Sequence, residues 1–134
     1  VTYKSAGGTS SVNGIGGIAG ARSGKSLVNC RCHCTVTAWN YPNVGMITGS
    51  AYDAANPIKN CHIGGTIDQG EYGEYTNEDN MEVTGWHSKP LPIRADVYYK
   101  AIYSNRDIEA ATAVDNGCGY ISAIDAAPVY AEVE

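Results

Sequence analysis

The fold is decided by a pattern that occurs twice. Ile15–Gly20 reads IGGIAG and recurs 29 positions later as VGMITG, and Leu27–Cys30 reads LVNC and recurs 31 positions later as IKNC. The two additional residues of the second copy lie in the loop between the paired blocks. A period of this length is typical of architectures in which each repeat is one supersecondary unit and neighbouring units stack. Each unit here is predicted to be a short glycine-bounded strand, a variable loop and a second strand.

Successive side chains of the second strand point to opposite faces, because a strand has a period of two residues. One face carries Val28, Cys30, Cys32, Cys34 and Val36 in the first copy and Lys59, Cys61, Ile63, Gly65 and Ile67 in the second. The other face carries Asn29, Arg31, His33 and Thr35 in the first copy. The first set is the more apolar, so we predict a core that includes Cys30, Cys32, Cys34, Cys61, Val36, Ile63 and Ile67. Asn29 is expected to lie above Asn60 and to hydrogen-bond along the stack.

The cysteines of the CRCHC segment, residues 30–34, resemble a metal site only superficially. A zinc site usually has C-x2-C spacing across a turn, whereas alternation directs His33 away from the three thiols. Unpaired cysteine packs well as a small apolar group. Five cysteines leave at least one thiol without a partner inside the chain. Cys30 and Cys61 come within disulfide range if the units stack directly, but we interpret them as reduced, stacked thiols, with no metal and no cofactor.

The AGARSGKS segment, residues 19–26, fits the loosest form of the nucleotide-binding P-loop. That motif needs a strand before it and a helix after it, so that backbone N–H groups cradle the phosphates. A β-branched, cysteine-rich strand follows Ser26 instead. No nucleotide is therefore expected as a ligand.

Composition limits the class of protein further. A chain of 134 residues is expected to form a single domain over residues 1–134. The 16 glycines, 10 tyrosines and absence of Phe favour β structure. A net charge of −5 without any basic run gives no support to nucleic acid as a partner. No apolar run is long enough for insertion of this segment into a membrane.

The repeat resembles the GLUG repeat of bacterial surface and secreted proteins over about residues 14–67. IGGIAG and VNC match that pattern well, while VGMITG has Met46 in place of the second glycine and NCRCHC differs after the first cysteine. The resemblance implies a short right-handed parallel β-helix, or solenoid, of about two to three coils. It also implies an extracellular or cell-surface location in a Gram-negative bacterium and a place in a larger adhesin-like architecture, with other domains of that protein as partners. The family brings no catalytic residues.

The second half, residues 68–134, is expected to form an acidic loop and an α+β cap at the C-terminal side of the coils. Six acidic residues and no Lys or Arg occur from Asp68 to Glu82, but TNEDN lacks the ordered spacing of a calcium loop. A strand is predicted over Val97–Tyr103. A short helix is predicted from a cap at Asp107 through Val114, ended by Asn116-Gly117, and PVYAEVE is expected to be an exit segment.

Three functions remain open on the sequence. The leading prediction is a non-catalytic structural or adhesive module, since no nucleophile, base and orienting group can be assembled from the sequence. The alternative is a glycan-binding module, in which an aromatic platform binds sugar rings; the residues are Trp86, Tyr98, Tyr99 and Tyr103, with His87 and Arg94 as polar partners. A cap over the open end of the stack is the favoured role of these aromatic residues, because such an end must be covered to prevent edge-to-edge pairing. The third is an accessory domain of a carbohydrate-active enzyme or protease.

Overall fold

The computed structural model describes residues 2–4, 14–21, 24–39, 43–68, 76–77, 82–83, 91–104 and 108–133, and these are mainly strands with one short α-helix. The strands are β1 (Thr2–Lys4), β2 (Ile15–Gly16), β3 (Arg31–Trp39), β4 (Val44–Gly45), β5 (His62–Asp68), β6 (Thr76–Asn77), β7 (Glu82–Val83), β8 (Leu91–Pro92) and β9 (Gly119–Tyr120). A 3-10 helix covers Tyr98–Ala101 and helix α1 covers Ala110–Asp115.

The two copies of the sequence repeat pair with each other in parallel. We call residues 14–39 the first unit and residues 43–68 the second unit. β2 pairs with β4 from Ile15 to Val44, and β3 pairs with β5 from Arg31 to His62 onward. These pairings have the same two offsets as the sequence repeat, so the units stack residue on equivalent residue.

Asparagine occupies the same corner of both units. Asn29 and Asn60 have φ angles of 60° and 50°, and the Nδ2 of Asn60 donates a hydrogen bond of 2.6 Å to the Oδ1 of Asn29. The predicted hydrogen bond between these side chains is thus confirmed. Asn tolerates this left-handed conformation because its short polar side chain can hydrogen-bond locally. Gly117 lies beside Asn60 and has the same left-handed conformation, with a φ of 72°.

Strands from outside the two units cover both of their edges. On one side, β1 pairs in parallel with the end of β3. On the other side, β9 pairs in parallel with the start of β5, whereas β8 pairs antiparallel with its end. Val129 forms an antiparallel bridge to Tyr120 beyond β9, so the segment predicted to exit the domain packs back against it.

The prediction of a strand over Val97–Tyr103 is wrong, since a 3-10 helix occupies the centre of this segment. In a 3-10 helix, residues three apart lie on the same side, and this brings Tyr98 and Ala101 into the core together, both with no exposed surface. Residues 97–104 still pack on the second unit through backbone hydrogen bonds, and we call this segment the third layer. Met46 N–H donates to Ala101 O at 2.6 Å, and Ile47 N–H donates to Ile102 O at 3.3 Å.

Helix α1 begins at Ala110, three residues after Asp107, the residue predicted to cap it. Its N-cap is Glu109, which makes no side-chain capping bond, and Asp107 lies outside the described residues. Its end agrees with the prediction: Gly117 is left-handed, and its N–H donates to Val114 O at 2.9 Å. In the acidic segment, β6 and β7 form an antiparallel pair; the remainder of TNEDN lies outside the described part of the chain.

One hydrophobic core runs through both units and the C-terminal part. Among the residues of the predicted inner face, Cys32, Cys61, Val36, Ile63 and Ile67 are buried, and Cys30 and Cys34 are half-buried. On the opposite face of β3, Arg31, His33 and Thr35 are exposed. The two faces of this strand therefore differ in burial along its length.

Candidate functional site

The buried thiols of the inner face are poor nucleophiles. Burial is the largest cause that raises the pKa of Cys32 and of Cys61 to about 12, and burial also raises the pKa of Cys118. All five cysteines are free, and Cys61 Sγ is 3.2 Å from Lys59 O, to which it donates a hydrogen bond. A thiol reacts through its thiolate, so these protonated groups behave as apolar packing residues at neutral pH.

No conventional metal centre occurs in the described part of the chain. There, no three His, Cys, Asp or Glu side chains converge as ligands of one ion. His33 lies on the exposed face of β3, and the thiols lie on the other. Hence CRCHC does not form a zinc site from its own cysteines and histidine.

Two of the tyrosines predicted for a sugar-binding platform lie in the core. Tyr98 and Tyr103 have no exposed surface. The hydroxyl of Tyr98 donates to Cys118 O at 2.6 Å, and the hydroxyl of Tyr103 accepts from Ile58 N–H at 2.9 Å. Their rings present no face to a ligand because they are buried, and their hydroxyls bond to the second unit at Ile58 and to the segment before β9 at Cys118.

The other members of the predicted platform have different positions. Tyr99 is half-buried and its ring packs edge-on against Tyr98 at 5.7 Å. Arg94 is exposed, and its Nε lies 3.3 Å from the Oδ1 of Asp96. Trp86 and His87 lie outside the described residues. Of the four predicted residues that the structure describes, Tyr99 lines an open cavity.

That cavity is a cleft of about 380 Å³ between the start of the 3-10 helix and the C-terminal segment. Its lining residues come from two distant parts of the chain and from α1: Ala95, Asp96, Tyr99, Ala110, Val129, Tyr130, Ala131 and Glu132. The volume falls in the range of about 300–1,000 Å³ that is common for small-molecule sites. We call it the tail cleft.

Backbone hydrogen bonds fix the wall of the tail cleft that residues 129–132 form. Tyr120 and Val129 exchange two of them, at 2.7 and 2.8 Å. Ala131 N–H also donates to the Tyr98 hydroxyl at 3.5 Å. The segment is therefore held on both sides of Tyr130, whose ring lies at the cleft.

Tyr130 also contacts the histidine of the second unit. The rings of His62 and Tyr130 are edge-on with centroids 6.0 Å apart, and His62 Nε2 lies 3.3 Å from the Tyr130 hydroxyl. Burial, with a smaller effect from the charge of Arg31, lowers the pKa of His62. His62 is thus neutral at neutral pH, and it supports Tyr130 without adding charge to the cleft.

The tail cleft offers two tyrosine rings and two carboxylates, those of Asp96 and Glu132. Such a set suits a neutral polar ligand, since the rings give apolar contact and the oxygens accept hydrogen bonds. The lining contains no Ser, Cys, His or Lys, so its ionisable groups are the two carboxylates and the tyrosine hydroxyls.

Sequence reasoning missed Tyr130, Glu132 and Asp96. Their contribution depends on the chain folding back by the Tyr120–Val129 bridge. The alternation of VYAEV, with Val129, Ala131 and Val133 on one side, is the available signal of a strand-like segment.

Comparisons with known proteins add no relative: no family model, no curated protein and no solved structure matches this chain. Within the described residues, no helix has the length and apolar character needed to cross a membrane.

Proposed function

We propose that this chain is a non-catalytic structural module of a larger bacterial surface or secreted protein, built as a short right-handed β-solenoid. The observation that supports it most is the register of the two units. Each strand of the first unit pairs in parallel with its equivalent in the second, at the offset of the repeat. Stacking of equivalent strands is how repeat proteins build a continuous core.

The end of the stack gives further support. β8 and β9 together cover the edge of β5, and the 3-10 helix covers the second unit beside Met46 and Ile47. An exposed sheet edge is a template for pairing with other chains. A covered edge and a core sealed by Tyr98 and Tyr103 suit a spacer that must remain separate in a crowded surface layer.

The GLUG-like pattern supports the surface location and the connection to further domains. We infer that the module positions neighbouring domains. It needs no cofactor for that role, and it acts through its shape and stiffness.

The experiment is to lengthen the stack by one unit. A second copy of residues 15–43 is inserted after Asn43, so that the new junction joins Asn43 to Ile15, the equivalent of Val44 in the repeat. Under the proposal the protein stays folded, keeps its β circular-dichroism signal per residue, and grows along the stack by about 4.8 Å in small-angle scattering. The matched control inserts a shuffled sequence of the same 29 residues, which is expected to destabilise the domain. Loss of folding in both inserts, or growth without the strand spacing, would refute a solenoid.

A second candidate function, glycan binding, is favoured by the tail cleft. The rings of Tyr99 and Tyr130 and the carboxylates of Asp96 and Glu132 surround a volume suited to a small neutral ligand. We propose a sugar as that ligand because its ring has an apolar face for the tyrosines and hydroxyls for the carboxylates.

A glycan array tests this second candidate. Glu132→Gln, which keeps size and removes charge, is expected to weaken binding at least about tenfold, while Asp125→Asn, an exposed carboxylate outside the cleft, leaves it unchanged. Trp86→Ala is run beside them, since Trp86 belongs to the predicted platform. Binding lost only in Trp86→Ala would place the sugar elsewhere, and a blank array with folded protein would leave the structural role alone. Release of product from a polysaccharide incubated with the protein would contradict a non-catalytic module.

A further inference from the structure

Three sulfur atoms, two from the first unit and one from the second, meet in the interior. Cys32 Sγ lies 3.5 Å from Cys34 Sγ and 3.5 Å from Met46 Sδ, and Cys34 Sγ lies 3.8 Å from Met46 Sδ. The three atoms form a nearly equilateral triangle. We call these residues the sulfur cluster.

The sulfur cluster occupies positions at which the two units differ. Cys32 pairs in register with Ile63, and Cys34 pairs with Gly65. Met46 is the equivalent of Gly17 in the first unit, whose N–H donates to Met46 O at 2.9 Å. Stacking requires only small or apolar residues at these positions, as the other copy demonstrates. The repeat alone therefore does not explain why all three positions carry sulfur and meet.

Two glycines flank the sulfur cluster, which is partly exposed on one side. A Cβ at Gly17 would lie 2.6 Å from Cys32 Sγ and 3.4 Å from Met46 Sδ, so a larger residue there would press on the sulfurs. Gly65 adds no side chain beside Cys34. Met46 is fully buried and Cys32 is 5% exposed, while Cys34 and Gly17 are half-buried. The last two residues are therefore the partly exposed side of the cluster.

Two thiols and a thioether are the ligands of a soft metal ion. Thiolate and thioether sulfur select Cu(I), whereas zinc takes thiolate, imidazole or carboxylate ligands in a tetrahedron. The centre of the sulfur triangle lies about 2.1 Å from each atom, and a metal–thiolate bond is about 2.3 Å long. Outward shifts of about 0.2 Å would fit a three-coordinate ion.

We propose that Cys32, Cys34 and Met46 form a binding site for one Cu(I) ion. Binding replaces two S–H bonds with two metal–sulfur bonds and releases two protons, and the thioether adds a third bond without a proton. The metal enters as Cu(I), so no electron is transferred. Two thiolates and one monovalent ion leave the site with a single negative charge beside the half-buried Cys34.

The test is anaerobic titration with Cu(I) held in a chromophoric bicinchoninate complex. Wild-type protein is expected to withdraw one equivalent of Cu(I). Cys34→Ser is expected to lower the affinity at least about 100-fold, and the volume-conserving Met46→Leu about tenfold. Cys30→Ser, a half-buried thiol on the same face, is the matched control and is expected to bind normally.

A second measurement needs no variant and guards against misfolding. Cu(I) is expected to protect Cys34 from iodoacetamide while Cys30 is alkylated at its normal rate, as read by peptide mass spectrometry. No uptake by folded wild-type protein overturns the proposal, and so does equal loss in Cys30→Ser and Cys34→Ser. Unchanged affinity in Met46→Leu overturns the three-sulfur site.

Discussion

Replacement of Asn60 by Ala tests the corner that both units share. The variant loses the 2.6 Å hydrogen bond to Asn29. This hydrogen bond is exposed and contributes about 0.5 kcal/mol to the free energy of unfolding. It also places an alanine at a φ of 50°, a left-handed conformation that costs a residue with a Cβ about 1–2 kcal/mol. Asn offsets part of this cost by local hydrogen bonding. The free energy of unfolding is therefore expected to fall by about 1.5–2.5 kcal/mol.

Asn60→Gly separates the two contributions. Glycine adopts positive φ without strain, so this variant loses the side-chain bond and some unfolded-state advantage, together about 0.5–1.5 kcal/mol. Urea unfolding followed by circular dichroism measures both variants. A double-mutant cycle with Asn29→Gly gives the bond itself, with an expected coupling of about 0.5 kcal/mol. Equal losses for Ala and Gly, or zero coupling, would refute the reasoning for the corner.

Three further predictions concern the packing around this corner. The pKa of His62 is lowered from 6.5 in the folded protein, so the unfolded state takes up the proton first and the free energy of unfolding falls as the pH drops below 6.5. His62→Gln is expected to reduce the difference between the urea midpoints at pH 7.5 and pH 5. An unchanged difference would contradict a role of His62 in this pH dependence. Tyr103→Phe leaves the buried N–H of Ile58 without its 2.9 Å bond and is expected to cost about 1–3 kcal/mol in the same assay, whereas a loss below about 0.5 kcal/mol would exclude the bond. Gly65→Ala would place a Cβ 2.0 Å from a backbone oxygen at a φ of 95° and is expected to prevent folding, while the control Gly24→Ala, with a φ of 59° and no atom within 4 Å, costs about 1–2 kcal/mol; similar thermal melts for the two variants would contradict the close stacking.

The register of the two units was predictable because one pattern occurs twice at fixed offsets. Equivalent residues of stacked units have equivalent neighbours, so a single alignment gives the partner of each strand residue. Alternation then assigns the two faces of β3, and this is why the inner positions of Cys32, Val36 and Ile63 follow from sequence. A repeat thereby converts local sequence into long-range contacts.

The third layer was not predictable in the same way. Residues 97–103 have the β-branched and aromatic composition of a strand, and local propensity favours one. The chain instead turns as a 3-10 helix, since this turn buries both Tyr98 and Ala101 against the second unit. Tertiary packing decides the conformation of this segment, and no copy of it elsewhere in the chain reveals the choice.

The candidate sites show the same division. The sulfur cluster joins positions that the repeat alignment brings to neighbouring units, yet only side-chain geometry reveals that Cys32, Cys34 and Met46 meet. The tail cleft depends on a bridge between Tyr120 and Val129, residues without repeat or motif. Composition favoured an aromatic platform, but it did not distinguish the buried tyrosines from the two at the cleft.

β8 runs antiparallel to β5 whereas β9 runs parallel to it, so the two ends of the β5 edge have different hydrogen-bond patterns. Parallel and antiparallel ladders space their hydrogen bonds differently, and the edge of β5 carries one kind at its start and the other at its end. The edge of β9 is in turn occupied at Tyr120 by Val129. An additional parallel unit that approaches from this side meets no continuous ladder that it can match. β8, β9 and the Val129 bridge consequently end the parallel ladder on this side of the second unit, so a further unit is accommodated by internal duplication rather than at this edge.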